Sequence, residues 1–61
     1  MEKIVNFIIE RETKGTIRYR EVVPPGVEDK LENKVIATLY IRKTALGDER
    51  PEKIEVTIKS L

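Results

Sequence analysis

The sequence predicts an all-β fold, a four-stranded, strongly curved antiparallel sheet or small half-barrel. Four stretches alternate apolar and polar side chains with the period of two that a half-buried strand requires. Between them stand Gly15, Pro24-Pro25-Gly26, and Gly47 with Pro51, the residue types that end strands and make turns. The polar segment 27–33 leaves room for at most one short helical turn. A chain of 61 residues allows one small β domain, 1–61, and one core.

Residues 3–12 (KIVNFIIERE) put Val5, Phe7 and Ile9 on one face and Asn6, Glu10 and Glu12 on the other, with Ile4 and Ile8 among the latter. The second strand is 16–23 (TIRYREVV), with Ile17 and Tyr19 inward. A two-residue loop at Lys14-Gly15 would set Arg11 opposite Arg18, an unfavourable like-charge pair. A three-residue loop, Thr13-Lys14-Gly15, sets Glu10 opposite Arg18 and Ile9 opposite Tyr19. It also uses Gly15 as the left-handed residue of a bulged turn, and is the preferred register.

Neither Pro24 nor Pro25 can donate to a ladder, so the second strand ends there. Segment 27–33 (VEDKLEN) reads as an exposed loop or as a short helix docking Val27 and Leu31. The third strand occupies the stretch 34–46 (KVIATLYIRKTAL), rich in β-branched and aromatic residues. With no Gly or Pro in it, this strand is expected near the centre of the sheet. Val35, Ala37, Leu39 and Ile41 form its apolar face; Ile36, Thr38, Tyr40 and Arg42 form the other. Segment 44–52 is a connector, and 53–59 is the fourth strand, with Ile54, Val56 and Ile58 inward.

Composition removes several function classes. There is no Cys, no His and a single serine, Ser60, so nucleophilic catalysis and thiolate or imidazole metal sites lack their side chains. Loop acids such as Glu28, Asp29, Asp48 and Glu49 read as solvated. The chain is expected to be no enzyme and to hold no cofactor or metal. Twelve basic residues against eleven acidic give no overall attraction to nucleic acid or membrane. No stretch approaches a membrane span, and no leader is legible, so a complete cytoplasmic protein is expected. The abundance of Glu, Lys, Arg and Ile resembles heat-adapted composition.

Small domains without disulfides or metals gain stability by oligomerising; a homodimer is therefore expected. Two surface sets are candidates. Arg18, Arg20, Tyr40 and Arg42 share the outward face, where cations could track phosphates and a ring could stack a base; the bland alternative is a solvated face with ion pairs such as Glu10–Arg18. Ile4, Ile8, Val22 and Ile36 have outward parity but are apolar, which points to self-association or a second cluster.

The segments TKGTIRYREV, IATLYIRKTALG and PEKIEVTIKS together resemble a group of very small uncharacterised prokaryotic all-β proteins. Their third strand reads TLY-[IV]-x-K-x-ALG and their last P-x-x-I-x-VTI. The resemblance spans most of the chain outside 24–34. It implies a stand-alone all-β protein and carries no functional residue across. The sequence therefore points to a non-catalytic, self-associating protein-interaction module, with single-stranded nucleic-acid binding as the alternative.

Overall fold

A computed structural model describes all residues, 1–61, as one curled half-barrel sheet. Its strands are β1 (Glu2–Glu12), β2 (Thr16–Val22), β3 (Thr38–Arg42) and β4 (Lys53–Lys59), antiparallel in the order β3-β2-β1-β4. A 3-10 turn, Leu31–Asn33, and a four-residue helix, α1 (Lys43–Leu46), complete it. The predicted all-β class and its curvature hold.

The centre of the sheet is β1, not β3. At 11 residues, β1 is long enough to pair with β2 on one side and β4 on the other. β3 is an edge strand of five residues. At its start it is cut short by Ala37, whose φ of 73° lies in the left-handed region that L-residues avoid; at its end Lys43–Leu46, expected to continue the strand, turn into α1. Strand alternation is broken there. Ile36 consequently packs against the core while Val35 is 49% exposed. This reverses the predicted parities of both residues, and it takes Ile36 out of the self-association set.

The hairpin departs from the three-residue loop. Thr13 N donates to Thr16 O at 2.9 Å, and Thr16 N to Thr13 Oγ1 at 3.1 Å, so Lys14-Gly15 alone form the tip. Gly15 is not left-handed. Ile9 does oppose Tyr19, but a bulge follows, and Arg18 then opposes Arg11. The extra residue is Glu10, whose Oε1 lies 2.6 Å from Arg18 Nε. A bulge frees one side chain from the ladder; here that carboxylate relieves the Arg11–Arg18 repulsion. The bulge also moves Glu12 to the face of Ile17, which it opposes; there, at the exposed end of the strand, it pairs with Lys43 (2.8 Å) and Arg50 (3.3 Å). These two cations hold the Glu12 carboxyl below its usual range, Lys43 first.

The core is Val5, Phe7, Ile17 and Tyr19, with Ile9, Leu39, Ile41, Ile54, Val56 and Ile58 packed against it, as the alternation predicts. A lone sheet would leave this face wet. The chain avoids that by crossing the mouth of the half-barrel between β3 and β4. Leu46 of α1 packs on the core, and Tyr19 Oη donates to Pro51 O at 2.8 Å. Val27 and Leu31, by contrast, are exposed (41% and 76%), so 27–33 is a surface segment and not a docked helix. The molecule is only 15 Å across its thinnest dimension.

Candidate functional site

The outward face of β2 and β3 carries the basic and aromatic residues singled out from the sequence. Register sets Thr16 opposite Arg42, Arg18 opposite Tyr40, and Arg20 opposite Thr38. Arg18 Cζ stands 5.8 Å from the Tyr40 ring centroid, within cation–π reach. Its Nε contact with Glu10 is a charge contact without hydrogen-bond alignment. Tyr40 is 56% exposed. Arg18, Arg20, Tyr40 and Arg42 are therefore brought together.

Arg11, on the neighbouring strand opposite Arg18, belongs to the same cluster and escaped the sequence reading because only the bulge puts it there. Arg11, Arg20 and Arg42 form no ion pair. Arg20 is nonetheless within Coulomb reach of Asp29, whose carboxyl Lys34 chiefly holds below its ordinary range. With Glu12 turned inward, the nearby acid on this half of the face is Glu10. Lys59, which shares the outward parity, lies on β4 beside Glu2, away from the cluster.

Ile4, Ile8 and Val22 occupy the outward face of β1 and β2. Val22 opposes Asn6, which sits between the two isoleucines. Ile4 is 57% and Val22 39% exposed, while Ile8 is half-buried. A shallow cavity of about 460 Å³ opens beside them, lined by Asn6, Ile8, Val22, Lys53 and Glu55. No three Asp, Glu, His or Cys side chains are grouped so as to hold a metal ion.

One buried charge was not foreseen. Glu21 is 4% exposed, and its Oε1 accepts from the backbone N–H of Val35 (2.9 Å), Ile36 (2.7 Å) and Ala37 (2.9 Å). Oε2 also accepts from Val35 N. Three successive N–H groups converging on one carboxylate make an anion cradle, and Ala37 closes it as the centre of a γ-turn in which Thr38 N donates to Ile36 O at 3.0 Å. Burial pushes the Glu21 carboxyl up, but the three N–H groups, with Lys34, carry it below its ordinary value. The sequence did contain a signal, an acid at inward parity two residues beyond Tyr19.

No family model, curated protein or solved structure matches this chain. The reading of function therefore rests on these surfaces. The Glu21 cradle is filled by the chain itself and anchors 34–37 to β2. The basic cluster and the apolar outward residues are the parts left open to a partner.

Proposed function

We propose that this protein is a non-catalytic interaction module that self-associates as a homodimer. The observation that carries this reading is surplus surface. The folded chain exposes 4845 Å², whereas a monomer of 7.1 kDa ordinarily exposes about 4,100 Å². The surplus, roughly 750 Å², is close to the ~800 Å² that one partner contributes to a standard interface. Five residues of 61 are buried, so a second copy would supply burial that the single thin sheet lacks. Light scattering at micromolar concentration is expected to give twice the 7.1 kDa chain mass; a clean monomer overturns the reading.

No helix is long and apolar enough to cross a membrane. We place the protein in the cytoplasm, whose reducing conditions suit a chain without cysteine, and its charge-rich composition suits a heat-adapted host.

A second reading is favoured by one observation, the unpaired Arg11, Arg20 and Arg42 around exposed Tyr40. These would bind single-stranded nucleic acid, the cations along the phosphates and the ring against a base. Fluorescence anisotropy with a labelled oligonucleotide is expected to show binding at low salt that weakens steeply as salt rises. Absence of binding at low salt removes this reading.

A further inference from the structure

Both outer strands of the sheet have a free side, and that of β4 is the longer. Ile9 N donates to Glu52 O at 2.8 Å and Ser60 N to Met1 O at 3.2 Å; between them Val5 pairs with Val56. Bonded pairs recur at every second residue of an antiparallel ladder. Ile54, Val56 and Ile58 therefore turn their backbone groups toward β1. Lys53, Glu55, Thr57 and Lys59 turn theirs outward, where no strand meets them. The side chains of Ile54, Val56 and Ile58 line the same margin of the core and remain only half-buried.

We propose that β4 pairs with β4 of a second copy, antiparallel about a two-fold axis through Thr57. This names the interface of the homodimer proposed above and rests on that reading. In this register Thr57 opposes the partner's Thr57, Val56 opposes the partner's Ile58, and Glu55 opposes the partner's Lys59. Threonine pairs, β-branched pairs and opposite charges are the favourable cross-strand combinations. The groups facing each other are the outward N–H and C=O of odd-numbered residues on both copies. The contact is self-complementary, as a closed two-fold interface must be. It also joins the two half-buried apolar margins into one continuous core.

Charge selects this register. An axis through Val56 would set Lys53 against the partner's Lys59, and one through Glu55 would set that carboxylate against its own copy. Lysines on an edge ordinarily keep copies apart; here Glu55 gives the partner's Lys59 a counter-charge. The β3 edge is a weaker template. It is five residues long, begins beside the left-handed Ala37, and pairs no opposite charges when it meets itself.

The test is the dimer dissociation constant, from sedimentation velocity over a dilution series, for wild type, Glu55→Lys, Lys59→Glu and the double variant. Each single reversal sets like charges opposite twice per dimer and is expected to weaken association about tenfold. The double variant is expected to restore it. Thr57→Pro removes an outward N–H while sparing the β1 ladder, and is expected to be folded by circular dichroism and monomeric by sedimentation. A wild-type dimer indifferent to the single reversals overturns the β4 interface and leaves self-association standing. A double variant as weak as the singles overturns the register. A wild type that is monomeric throughout overturns both readings.

Discussion

Replacing Glu21 by alanine is expected to lower the melting temperature by about 10–20 °C, the effect of losing roughly 2–3 kcal/mol in a domain of this size. Three backbone N–H groups converge on this carboxylate, and alanine leaves them facing one another without an acceptor. Ala37, at φ 73°, would lose its bond to the side chain, and 34–37 would be held to β2 only by the backbone bond from Glu21 N to Ala37 O. Glutamine should rescue in part, because its amide oxygen can accept the bonds that Oε1 takes, while its NH₂ would face Val35 N in place of Oε2 and the negative charge is gone. The pH dependence follows from the sign of the shift. The folded carboxyl lies below its usual value of 4.5, so its contribution is present above that value and is lost as pH falls through the folded pKa. Thermal melts between neutral and acid pH should therefore show a steeper acid loss for wild type than for Glu21→Gln. Parallel profiles would remove the cradle from the account of stability.

Tyr19→Ala is expected to leave the chain unfolded at room temperature. Truncating a large buried ring costs about 3–5 kcal/mol, comparable with the whole stability of a domain this small, roughly 3–9 kcal/mol. Tyr19 has no exposed surface and is the core residue that also ties down the crossing segment, through Pro51 O. Tyr19→Phe separates the two roles. It keeps the ring and leaves a carbonyl unpaired, a loss of about 1–2 kcal/mol, and should make 47–52 more open to proteolysis while the sheet persists. Burial raises the Tyr19 pKa against a smaller opposing pull from Arg50. The associated stability is thus present at neutral pH and lost as pH rises through the folded value, above 10. A Tyr19→Phe variant with wild-type melting temperature and protease pattern would show that the hydroxyl anchors nothing.

Much of the fold was legible because alternation is a local property. Val5, Phe7, Ile9, Ile17, Tyr19, Leu39, Ile41 and the inward residues of β4 were all readable from parity alone. What was not legible came from residues that break parity for reasons outside their own segment. Ala37 carries no turn signal in its side chain; its γ-turn is braced by a carboxylate sixteen positions away. Nor does Glu10 announce a bulge. It is placed there by the balance of Arg11 against Arg18, which counted as an argument against the register that occurs. The edge position of β3 has a similar origin. Residue composition reports how well a strand fits a sheet, whereas position in the sheet depends on which strand is long enough to hold two neighbours. At the candidate surface, Arg18, Arg20, Tyr40 and Arg42 were found by parity, while Arg11 needed the bulge.

The pairing of β1 with β4 has a consequence for how the molecule assembles in time. Glu2 meets Lys59, and Val5 meets Val56, so this half of the sheet closes nearly the longest loop the chain can make. Loop-closure entropy is lost before such contacts give any return, and topologies of this kind fold in milliseconds to seconds. The β1–β2 hairpin, closed by a two-residue tip, forms on far shorter timescales. The pairing of greatest sequence separation is therefore the one that covers the second side of Val5 and Phe7, and closing the loop between the two ends of the chain is expected to set the folding rate.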